Sequence, residues 1–251
     1  MGRHLRCVAA HEPPLAVVRV TGRLTLRGAA RLRVALLKSL AEQPFAVLVD
    51  VAGMAVDEDM SLTVFMAAAR HAAAWPAAPI ILCSASPEAR AALCRVGADR
   101  HVTLCADLDQ GRAVAARREL PEQVRDQLSA SPTSVPAARR MVTALCERWE
   151  LSGVVSPARL VISELVANAV RHAGTSVELT ITRSRRHLHL AVRDYHRQRS
   201  PVRRPPAESE PDRRGLLLVE AVSANWGCTL LPDGKVTWAS LSRAPRPVPR
   251  A

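Results

Sequence analysis

The feature that most restricts the fold is a change of rhythm near residue 120. Before it, short apolar runs alternate with helical spacing four times. Residues 15–20, 45–51, 79–83 and 101–105 read as strands, and residues 28–42, 61–75, 87–96 and 108–118 as helices. The run 45–51 is apolar apart from Asp50, which suits a parallel strand buried on both faces. That alternation predicts an α/β domain with sheet and helices in separate layers. After residue 136 the order changes. Two helical segments, 136–149 and 157–172, come first, the former with Met141, Leu145 and Trp149 on one side. The runs 177–183 and 187–193 then pair through 184–186, and 198–214 reads as a long loop. A helix over 215–223 follows, and 226–231 and 235–241 pair about Pro232, Asp233 and Gly234. Helices ahead of paired strands predict an α+β sandwich. Pro121, Pro132 and Pro136 mark the break. The expected domains are residues 1–118 and 131–245, with a linker at 119–130, a tail at 246–251, and 125–129 available as an edge strand. No internal repeat relates the halves.

Charge narrows the function classes. The formal net charge of +12 invites a nucleic-acid reading. However, nearly all the basic residues are Arg, with Lys only at Lys38 and Lys235, which fits a GC-rich coding bias. Aromatic residues make up 3% of the chain, so stacking platforms are scarce, and binding through the arginines of 183–204 ranks last. No direct nucleic-acid partner is expected. The six cysteines have no CxxC spacing, which points to reduced, buried thiols rather than a disulfide framework or zinc site. No signal-peptide pattern and no unbroken apolar run of about 18 residues occurs, so a cytoplasmic protein without a membrane span is expected.

Glu164, Asn168 and His172 are spaced by four, on one stripe of a helix, while Leu165, Val166, Ala169 and Val170 would face the sheet. An amide oxygen is a hard, neutral ligand for Mg²⁺, which keeps several waters and bridges substrate phosphates. A carboxylate one turn away can orient and partly deprotonate a nucleophile. The same stripe also reads as the solvated side of an amphipathic helix, and the helix alone leaves both open.

The segment from Ser163 to Ala173 resembles the N box of GHKL ATPases, in the branch of bacterial anti-sigma factors that are also serine kinases. Val192, Arg193 and Asp194 resemble the box whose Asp accepts a hydrogen bond from the adenine amino group. Arg213 to Val219 resembles the second glycine box, where a Gly-Leu step opens a helix whose N–H groups face the phosphates. The order and spacing agree over residues 131–243, and the departures resemble actinobacterial members. The resemblance implies a Bergerat-type sandwich, a mixed sheet covered by helices, binding ATP and Mg²⁺. Glu164 would be the catalytic base and Asn168 the Mg²⁺ ligand. His172, Asp194, Arg214, Gly215 and Leu216 would contribute to nucleotide binding.

Three departures bear on that site. Tyr195, His196, Arg197 and Gln198 follow Asp194 where the family has glycines, which allow close backbone approach. Arg214 stands where a further Gly is frequent; Arg213 or Arg214 either grips phosphate bidentately or is a solvated loop arginine. Val236 stands where the family often has Thr, and Thr237 follows; a one-residue offset is expected to turn its hydroxyl away from the pocket.

Residues 17–115 resemble a STAS domain, the fold of anti-anti-sigma factors, through Leu48 to Met54 and Asp57 to Leu62. Met60 occupies the position of the family's phosphorylated Ser, and Ser61 is the adjacent candidate phosphosite. Asp57, Glu58 and Asp59 would otherwise complement a helix dipole, or mimic a phosphorylated state. Together the resemblances imply a partner-switching regulator that binds ATP, controls a sigma factor with a STAS-domain antagonist, and forms a homodimer. The alternative is a nucleotide-binding or interaction module without phosphoryl transfer.

Overall fold

The computed structural model describes residues 4–173, 176–196, 211–231 and 233–243, and of residues 172, 173 and 211–214 the backbone alone. The chain divides into two compact units, Met1–Leu120 and Pro121–Ala251.

The first unit is built on five strands in spatial order β1 (Arg6–Glu12), β2 (Leu15–Leu24), β3 (Ala46–Val56), β4 (Ile80–Cys83) and β5 (Thr103–Cys105). β1 and β2 are antiparallel, and the other pairings are parallel. Helices α1 (Leu26–Ala41), α2 (Thr63–Ala74) and α3 (Pro87–Arg95) are the crossovers, and α4 (Leu108–Ala116) follows the last strand. Thr25 starts α1 by accepting from the Gly28 N–H at 3.1 Å, and Leu32, Leu36 and Leu40, spaced by four, are buried on the core side. Each such leucine contributes roughly 1.5–3 kcal/mol on burial. β3 alternates faces: Val47, Val49 and Val51 join the core with α1 and α2, while Ala46 and Leu48 join a smaller one with Cys83, Cys105 and Ala115 of α4. Covered on both faces, β3 reads as an unbroken apolar run. β1 is a strand that the sequence reading lacked. Its residues are mostly exposed, so no apolar run announces it.

The second unit has the order β6 (Glu122–Leu128), β7 (Val177–Arg183), β8 (His187–Asp194), β10 (Gly234–Ser242) and β9 (Asn225–Leu231). All four pairings are antiparallel, so the mixed sheet of this chain is the first one. Residues 122–128, expected in the linker with 125–129 available as an edge strand, form the edge strand β6 along the whole of β7. Helices α5 (Ser134–Arg148), α6 (Val155–Ala173) and α7 (Pro211–Val222) complete the unit. α6 lies across β7, β8 and β10, with α5 and α7 packed against it. Its Val161, Ile162, Leu165, Val166 and Ala169 are buried against Leu179, Ile181, Leu190 and Val192. By length and mean hydropathy, Ser152–Arg171 would reach across a membrane. Here its apolar side fills the second core.

The six thiols are all free. Cys83, Cys105 and Cys146 are buried and Cys7 half-buried, but Cys94 and Cys228 are exposed, so the expectation of buried thiols holds for only half of them.

Candidate functional site

The site is assembled on α6. Its apolar side is consumed by the core, which leaves Glu164 and Asn168 half-buried on the adjoining stripe. α7 crosses next to this stripe. A methyl group at Gly215 would overlap Oε2 of Glu164 and lie 3.2 Å from its Cδ. Gly215 is therefore the position at which α7 gives way to the Glu164 carboxylate.

This alters the role expected of the second glycine box. α7 begins at Pro211, so Gly215 sits inside the helix instead of opening it. Free N–H groups belong to the first turn of a helix, which here precedes Gly215. Leu216 is half-buried, while Leu217 and Leu218 are exposed. The side chains of His172 and Arg214 lie outside the described residues, as do residues 197–200 after Asp194.

Asp194 ends β8 with its side chain 3% exposed. It pairs across the sheet with Lys235, whose Nζ lies 3.7 Å from Oδ2, and the His196 N–H donates to Oδ1 at 3.4 Å. Burial pushes the Asp194 carboxyl above the ordinary value, against the opposing pull of the Lys235 ammonium and the His196 N–H. A methyl group at Gly234 would overlap the Asp194 carbonyl oxygen and lie 2.9 Å from the Tyr195 Cα, so only glycine lets β10 run this close. Tyr195, where the family has glycine, turns to donate its hydroxyl to Glu178 at 3.0 Å and stacks beneath the Arg193 guanidinium.

The register corrects one expectation. Lys235 opposes Asp194 and Thr237 opposes Val192, so Thr237 shares the face of Asp194, which carries Val192, Leu190 and Ala239 into the core. Two steps along β10 restore the face that one step would lose. Thr237 is 7% exposed, and its hydroxyl lies 3.8 Å from the Cys228 sulfur on the neighbouring strand. Sequence reasoning passed over Thr237 because it counted from Val236; counting from the Asp194–Lys235 pair would have found it.

In the first unit, Ser61 is 1% exposed and donates to the Glu58 carbonyl at 2.6 Å, with the Leu24 carbonyl 3.4 Å away. The neighbouring acids do not cap a helix through their side chains. Asp57 is held by Arg23 and Asp59 by Arg95 at 2.8 Å, and each pairing holds the Asp carboxyl below the ordinary range. Met60 is exposed.

The donor set of the described residues is compatible with an adenine nucleotide. Asp194 is an acceptor held out of water, Glu164 and Asn168 share one helix, and Gly215 lets α7 pass in contact with the Glu164 carboxylate. The described residues contain no group of three or more His, Cys, Asp or Glu placed to hold a metal ion. A magnesium ion would therefore depend on the Asn168 amide oxygen and on the nucleotide's own phosphates.

Residues 128–240, most of the second unit, match the family model of the histidine kinase-like ATPase domain. Solved structures similar to part of the chain include an anti-sigma factor antagonist from Mycobacterium paratuberculosis. It is 18% identical, over 45% of this chain and 94% of that one, with a TM-score of 0.40. An RsbS variant from Moorella thermoacetica is 18% identical, over 44% and 95%, with a TM-score of 0.39. The Bacillus cell fate determinant SpoIIAA in its phosphorylated form is 14% identical, over 44% and 98%, with a TM-score of 0.35. Likenesses of this size carry no weight for function. No curated protein matches the chain. The chain thus joins an α/β unit with a mixed sheet to a unit similar to the histidine kinase-like ATPase domain, and the latter similarity implies an ATP site.

Proposed function

We propose that this chain is an ATP-binding regulatory protein of the anti-sigma factor and serine kinase type, acting by partner switching with STAS-domain proteins. The observation that carries the reading is the pairing of a polar α6 stripe, Glu164 and Asn168, with a buried carboxylate, Asp194, inside a unit matching the histidine kinase-like ATPase model. The STAS part rests on the resemblance of residues 17–115 and on the mixed sheet of the first unit. Bound Mg·ATP would supply the transferable phosphoryl group, with the cation offsetting charge on its oxygens. Asp194 would accept from the adenine amino group, and Thr237 shares its face. Asn168 would hold the metal through its amide oxygen. Glu164 would take the proton from an incoming Ser hydroxyl at a carboxylate oxygen. Arg214, Leu216 and His172 would complete the pocket, and Gly215 would keep α7 clear of the base. The protein partners would be a STAS-domain antagonist and a sigma factor, with a second copy of the chain as dimer mate, all in the cytoplasm.

The test is transfer of label from γ-labelled ATP to a STAS protein, compared between wild type and Glu164→Gln. Loss of roughly a hundredfold or more in rate is expected. Equal incorporation in both proteins refutes Glu164 as the base. A second reading, nucleotide binding without phosphoryl transfer, is favoured by Tyr195 and His196 standing in place of glycines and by Met60 at the usual acceptor position. It predicts tight ATP binding with no labelled product in either protein.

A further inference from the structure

A cavity of about 580 Å³ opens in the first unit between the start of β1, the end of β2 and the first two turns of α1. It is lined by His4, Arg23, Arg27 and Arg31 on the basic side, with Leu5, Thr25 and Gly28, and by a single acid, Asp57. Asp57 is already taken by Arg23, which bonds it through two guanidinium nitrogens. Among the described residues, Arg27 and Arg31 have no ion-pair partner, and the first turn of α1 contains no acid.

That arrangement is electrostatically unfavourable without a ligand. Arg27 and Arg31, four apart on one face of α1, repel. Both sit toward the end of the helix where the dipole favours anions, and Arg27 lies in the first turn. Nothing in the packing calls for them: both side chains are exposed, and the core contact of this helix is made by Leu32, Leu36 and Leu40. Local rules broken at one place without a structural gain mark functional positions.

We infer that this cavity is a binding site for a small anion carrying two or more phosphoryl groups. Two unpaired guanidinium forks, those of Arg27 and Arg31, line it beside the Arg23 fork held by Asp57, and such forks match phosphoryl oxygens bidentately. The lining has no Phe, Tyr or Trp, and the His4 imidazole is its one aromatic ring, so recognition falls mainly on the phosphates. The volume lies within the range of small-molecule sites. The anion shares Arg23 with Asp57, and the Asp57 N–H donates to the Leu24 carbonyl, the group next to the Ser61 hydroxyl. Occupancy therefore acts on the loop that carries Ser61. The inference is independent of the ATP site in the second unit.

The test uses the full chain and inorganic pyrophosphate, titrated by calorimetry into wild type, Asn168→Ala and the double variant Arg27→Gln/Arg31→Gln. Saturable binding to wild type and to Asn168→Ala is expected, with affinity at least tenfold weaker in the double variant and a rise in Tm on adding pyrophosphate that the double variant lacks. The two arginines are exposed, so the double variant folds with an unchanged or slightly higher Tm in the absence of the anion; Arg31→Gln alone gives the same direction. Equal binding in wild type and the double variant overturns the inference, as does absence of saturable binding to wild type at millimolar pyrophosphate. Loss of binding in Asn168→Ala alone assigns the anion to the second unit and also overturns it. Citrate binding as tightly as pyrophosphate overturns the phosphoryl assignment.

Discussion

Replacing Gly215 with alanine separates the stability of the second unit from its chemistry. Gly215 lies inside α7, where Ala is favoured over Gly by about 1 kcal/mol. Against this, the new methyl group overlaps Oε2 of Glu164. The clash is with the far end of a flexible side chain, which escapes by rotation at about 0.5–1.5 kcal/mol for an off-rotamer angle. The two effects nearly cancel. For a unit of this size the melting temperature moves by no more than roughly 3–5 °C in either direction. The carboxylate, however, leaves the place from which it would take a proton. Phosphoryl transfer should fall as far as it does in Glu164→Gln, with ATP affinity within about threefold of wild type, an expectation resting on the oriented base being worth roughly 10²–10⁴ in rate. The assay is a thermal melt beside γ-label transfer, and the double variant Gly215→Ala/Glu164→Gln should transfer no more slowly than either single one. Full transfer activity in Gly215→Ala would refute the reasoning, as would a fall in melting temperature beyond about 10 °C, because the clash would then have moved backbone.

Asp194→Asn should abolish ATP binding while leaving the second unit at least as stable as wild type at pH 7. Burial raises the Asp194 carboxyl in the folded state, so its ionised form opposes folding once the pH exceeds the folded value; a melt of both proteins at pH 7 checks this. His189, 1% exposed between the Ser184 and Ser240 hydroxyls, is pushed down by burial, with a smaller contribution from His187, to about 3. It stays neutral when folded but protonates when unfolded below about pH 6.5. Its stabilising effect is whole above that pH and fades below it, by about 2 kcal/mol between pH 6.5 and 5; urea midpoints of wild type should fall with that slope and those of His189→Gln should not. Ser61 should stay unphosphorylated after incubation with ATP, because its hydroxyl is buried and engaged, whereas Arg23→Ala/Arg95→Ala should free the loop for labelling detectable by mass spectrometry.

Much of the fold is legible in the chain wherever burial is one-sided or complete. The all-apolar β3 and the i, i+4 leucines of α1 announce themselves because each residue has one environment. β1 does not, and β6 only in its later part, 125–128, since both are edge strands whose pairing is backbone to backbone and whose side chains are largely exposed. The start of α7 was misread because the Arg- and Pro-rich stretch before Gly215 carries no apolar periodicity. At the site, the α6 stripe and Asp194 are visible as spacing and order. The contact of Gly215 with Glu164 and the shared face of Thr237 and Asp194 depend on helix crossing and strand register, which no local pattern encodes. The acids at 57–59 carry the same lesson: their composition suggests a helix cap, but their arginine partners come from β2 and α3, far along the chain.

The central claim is an ATP site built from Asn168 on α6 and Asp194 on β8. It is tested most directly by titrating ATP into the full chain with and without Mg²⁺, for wild type and Asn168→Ala. The account predicts saturable binding to wild type that strengthens with Mg²⁺, and a variant whose remaining affinity is indifferent to the metal. Wild type that fails to saturate at millimolar ATP, or a variant that responds to Mg²⁺ as wild type does, contradicts it.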